Sequence, residues 1–324
     1  MPCLYNKSHG MEIVLLSRQN NEAMDNLKCI AAAFKRALGL LKRNDPLILC
    51  SSTAFFAAFS LSPIIILLVN LFSIYFTSEK IGYQMFQVVA STFGPETAKD
   101  IGTIVGNFME LESGWLITLG SSIFFLFVAT TLLTVVKRSI HKLWHIRSSP
   151  QRHLRYFGWE RGKAVLLIFY SGLLMLFSIL VDTGLSVSRD YLQVVWPAVT
   201  IAAIRVLGVA FSLVVITIWF TLVFKTLPDA RIKWGVAFVG GFFTSVLYNI
   251  GELILGKVLI HARLASIFGA TTSLALILLF IFYCSFILYF GAAFTHEYAV
   301  KTDQPIHTSK NSKLYEEKIL ERET

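Results

Sequence analysis

GVAFVGGFFTSVLYNIGELILGKVLI, residues 235–260, is an apolar stretch in which only Glu252 and Lys257 are charged. A helix needs about 20 mostly apolar residues to cross a bilayer, so this stretch predicts a membrane-spanning helix. Its small residues, such as Gly240 and Gly241, favour close packing against other helices in lipid. A carboxylate in hydrocarbon is costly unless it is paired. The stretch therefore predicts a membrane protein and a partner for Glu252.

The composition also indicates a membrane protein. The 324 residues are 55% hydrophobic and 15% charged, with a mean hydropathy of +0.64, whereas soluble domains have about 25% charged residues. The stretches long enough to span a bilayer are 47–76, 114–136, 164–188, 194–224, 235–260 and 267–293. We therefore predict an all-α fold, a polytopic six-helix transmembrane bundle. The predicted domains are a polar N-terminal tail, 1–27; a six-span membrane domain, 28–300; and a cytoplasmic tail, 301–324, which is disordered or forms a short helix at 312–322.

Lysine and arginine are distributed unevenly between the predicted loops. The N-terminal segment, the linkers 137–163 and 225–234 and the C-terminal tail carry 23 of them, and the loops of the other side carry 4. Because basic residues are retained on the cytoplasmic side, both termini are predicted to be cytoplasmic. The partners expected are the lipid bilayer and the anionic lipid headgroups of its cytoplasmic face. A nucleic-acid partner is not expected, because the basic residues are not clustered on one folded surface.

Three segments outside the spans have a recognisable pattern. Residues 28–43 place apolar side chains on one helical face and Lys28, Lys35 and Lys42 on another, which predicts an amphipathic helix on the membrane surface. The external linker 77–113 is interpreted either as two short helices against the bundle or as a solvated linker. The linker 137–163 interleaves basic residues with aromatic ones, including Trp144, which favours an anchor in the inner leaflet.

Charged residues inside the spans are the main candidates for a functional site. With the predicted orientation, Asp182, Arg205 and Glu252 lie about 9, 16 and 12 Å below the outer ends of their spans, at about 1.5 Å per residue. We hypothesise that Arg205 pairs with Glu252, and also with Asp182, in the outer half of the membrane. The three residues would either line a polar cavity or form a structural ion pair that fixes the helix register. Pro63, inside the first span, predicts a helix kink that is either a hinge or static.

No pattern in the sequence predicts catalysis. His141 and His145 share a helical face, but no third ligand is near them in sequence, so neither a metal nor another cofactor is expected. The four cysteines fall in segments where no disulfide is expected. The inner linkers contain only Glu160 and Asp229 as acids, which is too few to hold a catalytic metal. We therefore predict that the protein is not an enzyme.

Several separated segments resemble the YihY/virulence factor BrkB family. They are FFAAFSLSPIIILL at 55–68, TTLLTVVKRSIHKLWHIR at 130–147, and the two C-terminal segments 227–260 and 266–297. The resemblance covers roughly 30–300 and implies a multi-pass protein of the bacterial inner (plasma) membrane. The chain departs from the family pattern at Phe268, at Phe280 and at Ala293, where the pattern has Tyr, Trp and Glu. The absence of that Glu puts any role assigned to it in doubt.

The resemblance leaves two functions open. The protein is interpreted as a transporter of lipid or small molecules, or alternatively as a non-transporting membrane scaffold or envelope-integrity protein. Members of the family were once labelled ribonuclease BN, and we reject that function because the cytoplasmic side has no carboxylate–histidine cluster. A homo-oligomer is compatible with the sequence.

Overall fold

The computed structural model describes residues 28–72, 86–87, 90, 98–99, 102–103, 115–148, 154–192, 197–261, 272–308 and 312–315. This part of the chain is mostly helical. Helix α1 covers 28–43, and the long helices are α2 (Pro46–Phe72), α3 (Trp115–Leu143), α4 (Leu154–Leu192), α5 (Pro197–Thr226), α6 (Trp234–His261) and α7 (Thr272–Lys301). Each predicted span overlaps one of these long helices.

The long helices form a closed ring of contacts. Each of α2 to α6 packs against the next helix in the sequence, and α7 packs against α2. Contacts between α7 and α3 cross the ring. Within the described residues, four segments are long and apolar enough to cross a membrane, and they lie in α4, α5, α6 and α7; Pro46–Leu61 of α2 is a shorter apolar segment. The structure is therefore a helical bundle in which several helices are long and apolar enough to cross a membrane.

Helix α3 is longer than the predicted span. The apolar stretch ends at 136, but the helix continues to Leu143 and carries His141 and Lys142 in its last turn. Basic side chains are favourable there because the helix dipole places negative charge at this end. The helix consequently carries residues of the predicted linker beyond the apolar region, at the end of the bundle where α1 and the linkers also lie. We call this end the basic end.

Helix α1 packs on the bundle with one stripe of small and apolar residues. This stripe is buried and consists of Ala33, Ala37 and Leu41. An adjacent stripe is apolar but exposed and consists of Ile30, Phe34 and Leu38. The ring of Phe34 still contacts Phe243 and Phe290 edge-on. An exposed apolar stripe beside a buried one is the surface that a membrane-lying amphipathic helix presents to lipid.

The described residues of the C-terminal segment include two short strands, where disorder or a short helix was expected; residues 316–322 of that predicted helix lie outside the described residues. Strand β1 (Ile146–Ser148) pairs antiparallel with β4 (Ser312–Leu314). Strand β2 (Ala230–Arg231) pairs antiparallel with β3 (His307–Thr308). The all-α prediction omitted these strands because each is too short to show a pattern of its own. Strands β3 and β4 thus lie against both linkers of the basic end.

Glycines allow α6 and α7 to approach closely. A Cβ atom on Gly240 would collide with the side chain of Thr295, and one on Gly291 would collide with the side chain of Thr244. Both threonine hydroxyls donate back to carbonyls of their own helices, which satisfies them inside the contact. The prediction that glycines serve helix packing is confirmed at this crossing.

The described residues of the linker 77–113 are helical, and two of them, Ala90 and Ala98, pack on the bundle. Residues 86–87, 90, 98–99 and 102–103 are each helical. Ala98 is buried against Ile277, with Ala90 and Leu61 packed around them.

Pro63 lies inside α2, which is one helix from Pro46 to Phe72. The ring of Pro63 lies outside the described side chains, so the kink stays a prediction.

Candidate functional site

A buried carboxylate organises the basic end. Asp229 is 5% exposed, and its Oδ2 atom lies 2.7 Å from Nζ of Lys137, whose side chain is 9% exposed. Its Oδ1 atom lies 3.8 Å from Nζ of Lys163. Burial of a carboxylate is costly unless it is paired and hydrogen-bonded. The two lysines come from α3 and α4, so the carboxylate joins both helices to the linker between α5 and α6.

The backbone of Asp229 is held on both sides. Its N–H donates to Nε2 of His141 at 2.9 Å, and its carbonyl accepts from Oγ of Ser312 at 2.9 Å. His141 is buried, and its Nε2 must be unprotonated to accept this hydrogen bond. His141 therefore orients the linker. Within the described residues, no group of three or more His, Cys, Asp or Glu side chains could hold a metal ion.

Trp144 is part of the core, and its predicted role as an inner-leaflet anchor is wrong. The side chain is fully buried, and its indole N–H donates to the carbonyl of Ala292 at 2.8 Å. The interleaved aromatic and basic residues suggested lipid contact. Such a pattern does not show which way an individual side chain points, so it could not separate a lipid-facing Trp144 from a buried one.

Ala293, where the family pattern has an acid, is also fully buried. Glu297 lies one turn later, with Oε1 3.4 Å from Nδ1 of His296.

A cavity of about 350 Å³ opens beside Asp229. Its apolar wall comes from α4 and α5 and includes Leu166, Tyr170 and Leu222. Its charged side chains, besides Asp229, are three cations: Lys163, Lys225 and Arg231. The cavity thus has an apolar wall and more positively than negatively charged side chains.

A second cavity of about 490 Å³ continues along the same helices. It is lined mainly by apolar side chains, and its few polar groups include the hydroxyl of Ser171, which accepts from the indole N–H of Trp219 at 2.8 Å. On α4 the lining residues of the two cavities form one helical stripe: Lys163, Leu166, Leu167, Tyr170, Ser171, Leu174, Met175 and Ser178. Residues three or four apart share a helix face. The two cavities therefore lie along the same face of α4, and together we call them the α4–α5 groove; the second cavity is also lined by residues of α6 and α7, among them Tyr248 and Leu288.

The three residues of the predicted polar cluster lie on three different helices. Glu252 is on α6 with an exposed side chain. Asp182 and Arg205 are on α4 and α5, and their side chains lie outside the described residues. The interpretation of Asp182, Arg205 and Glu252 as a cluster therefore stays a prediction. Of the three, only Glu252 has a described side chain, and it does not line the cavities described here.

Sequence reasoning missed Asp229 and its lysines as a site. The available signal was an acid in a linker that otherwise carries only basic charges, inside the segment LPDAR at 227–231. An isolated acid among cations is a candidate for a buried ion pair. Its partners Lys137 and Lys163 were used only to predict the orientation in the membrane. Their contact with Asp229 could not be predicted, because they are far from it in the sequence.

The chain is similar to a known protein family and to curated membrane proteins. The family model Virulence factor BrkB matches residues 40–314. A UPF0761 membrane protein of Saccharophagus degradans is 23% identical over 77% of this chain and 55% of its own length. One of Azotobacter vinelandii is 25% identical over 73% of this chain and 55% of its own length. The chain thus spans about half the length of these curated relatives, and no solved structure matches it. The match to the family model over most of the chain shows that this integral membrane protein belongs to the virulence factor BrkB family.

Proposed function

We propose that the protein binds a membrane lipid in the α4–α5 groove and transports it. The observation that carries this proposal is the stripe from Lys163 to Ser178, which joins a cation-lined cavity to an apolar one. A lipid has the same division between a polar head and an apolar tail. A small polar solute would gain few favourable contacts from the leucine, methionine and aromatic side chains that line the groove.

The proposed placement has six spans in the bacterial inner membrane and both termini in the cytoplasm. Its support is the distribution of basic residues, 23 against 4, because cytoplasmic loops retain lysine and arginine. With this placement the basic end lies at the inner leaflet, and the α4–α5 groove faces the inner half of the bilayer. Helix α1 then lies in the membrane surface with its exposed apolar stripe in lipid.

The alternative is a scaffold that does not transport. The observation that favours it is the dense packing of the basic end, where Trp144, Tyr289, Phe224 and Phe294 are fully buried. In that case the α4–α5 groove would hold only the lipids that exchange around any membrane protein. The two functions therefore differ in whether a lipid in the groove is retained and moved.

Retention is tested with a photo-crosslinking residue in place of Met175, which lines the groove. The matched control is the same residue in place of Leu173, which is 48% exposed on another face of α4. After extraction into detergent and extensive washing, we expect crosslinked lipid at 175 and little at 173. Equal crosslinking at the two positions would mean that the groove holds no retained lipid.

Transport is tested by reconstituting the full chain in vesicles that contain a fluorescent lipid and measuring its movement between leaflets. We expect faster movement than in protein-free vesicles. We also expect slower movement when Met175→Trp fills the groove, with Leu173→Trp as the control. Movement no faster than in protein-free vesicles would contradict transport and favour the scaffold.

A further inference from the structure

We propose that the cation-lined part of the α4–α5 groove binds the phosphate of an anionic lipid headgroup, with Lys163 and Arg231 as the selecting residues. This inference rests on the proposed function, because it names the class of lipid that the groove takes. The occupant is a lipid and not free phosphate.

The charges around the cavity leave positive charge available for a ligand. Asp229 is neutralised mainly by Lys137, 2.7 Å away, while Lys163 is 3.8 Å from the other carboxylate oxygen. The side chain of Lys163 is 36% exposed, and Arg231 is exposed. Both cations therefore lie at the cavity with their polar ends accessible. A phosphate there would gain charge-assisted hydrogen bonds from the ammonium and the guanidinium group.

Lys225 supports the site in a different way. Its ammonium group donates to the carbonyl of Ile232 and lies 5.2 Å from the centre of the Trp234 ring. These contacts hold the cation at the cavity while it also closes the turn before α6. Lys225 is therefore a poor residue to substitute in a binding test, because its loss would disturb the linker itself.

The length of the groove agrees with one lipid leaflet. From Lys163 to Ser178 the stripe on α4 rises about 22 Å, at about 1.5 Å per residue. Half of a bilayer with its headgroup region is about 20–22 Å thick. A headgroup at Lys163 would therefore place its acyl chains along the apolar cavity next to Met175 and Trp219. Free phosphate would leave this apolar part unused.

Lys163 and Arg231 can be replaced without removing the contacts that hold the fold around the cavity. Arg231 is held in β2 by main-chain pairing with His307, which a side-chain change keeps. Lys137 continues to neutralise Asp229 when Lys163 is replaced. Lys233, two positions after Arg231, is also exposed and basic but does not line the cavity, so it is the matched control.

The test is native mass spectrometry of the delipidated full chain, titrated with phosphatidylglycerol and phosphatidylcholine of the same acyl chains. We expect wild type to prefer phosphatidylglycerol by about tenfold, because both lipids offer the same phosphate but the choline cation of phosphatidylcholine is repelled by Lys163 and Arg231. The double variant Lys163→Gln/Arg231→Gln should lose the preference and still bind phosphatidylcholine. Lys233→Gln and the charge-keeping Arg231→Lys should retain the preference. Thermal unfolding of each variant shows whether it is folded.

The other outcomes separate this inference from the proposed function. Lipid bound with no preference in wild type, or a preference lost equally in Lys233→Gln, overturns the headgroup site and leaves the proposed function intact. Competition by inorganic phosphate at the same concentration as phosphatidylglycerol overturns the assignment to a lipid. Absence of retained lipid of either kind overturns the proposed function as well.

Discussion

The ammonium group of Lys137 lies 2.7 Å from the carboxylate of Asp229, and both side chains are more than nine-tenths buried. This pair connects the end of α3 to the linker that precedes α6. Truncating one partner of a buried pair leaves the other charge without its closest partner, which typically costs about 3–5 kcal/mol. The consequences of this and other contacts can be measured on the purified protein.

Substitution of Lys137 by Met should destabilise the protein by about 3 kcal/mol, because Lys163 alone lies too far from Asp229 to replace it. The measurement is the free energy of unfolding in detergent. The control is Arg138→Met, which removes an exposed charge from the next position and should change stability by less than about 0.5 kcal/mol. Equal stability of the Lys137 variant and wild type would contradict the role of the pair.

Substitution of Trp144 by Phe should cost about 1–3 kcal/mol. The change leaves the carbonyl of Ala292 without its 2.8 Å hydrogen bond and creates space in the core. Membrane insertion should be unchanged, because the residue does not contact lipid. Trp234→Phe is the control, since Trp234 is 60% exposed and a phenyl ring can still face Lys225. A loss of insertion with no loss of stability would restore the anchor interpretation.

Substitution of Gly291 by Val should destabilise the crossing of α6 and α7 by about 1–3 kcal/mol, because the new side chain collides with Thr244. Gly235→Ala is the control in α6, where nothing lies within 4 Å of the added methyl group. It should be neutral or slightly stabilising, since Ala favours a helix more than Gly does. Thermal unfolding compares the two. Similar transitions for both variants would show that the helices are not held at this distance.

Removal of the residues after Lys301 should loosen the linker at 227–233. The truncation deletes β3, β4 and the Ser312 hydroxyl that donates to Asp229. Hydrogen exchange should increase at the amides of 227–233 and stay unchanged at the α6–α7 crossing around Gly240. Ser312→Ala should give a smaller increase in the same place, as one lost hydrogen bond costs about 1 kcal/mol. Unchanged exchange in both variants would contradict the contact.

Exchange of Arg205 and Glu252 tests the cluster predicted in the outer half of the membrane. If the two side chains pair, Arg205→Glu with Glu252→Arg should be better folded than either single change, because each single change leaves like charges together. The measurement is the yield of folded protein on size exclusion. A double variant no better than the single variants would mean that they are not partners.

Some features could be predicted from the sequence because they depend on local patterns. Apolar length located α2 to α7, and the seven-residue spacing of Lys28, Lys35 and Lys42 located α1. The contact of Lys137 with Asp229 and the pairing of β1 with β4 have no local signal, because each joins segments far apart in the chain. Trp144 shows the same limit, since aromatic residues suit both an interface and a core.

The pairing of β3 and β4 with the two linkers has a consequence for biosynthesis. Lys137, Lys163 and Asp229 leave the ribosome well before Ser312 does, so their cluster gains the last of its described hydrogen bonds only after α7 has been made. The helices can therefore enter the membrane one after another while the basic end stays open. Closure of this end by β3 and β4 becomes a late step of assembly, after the bundle has formed around it.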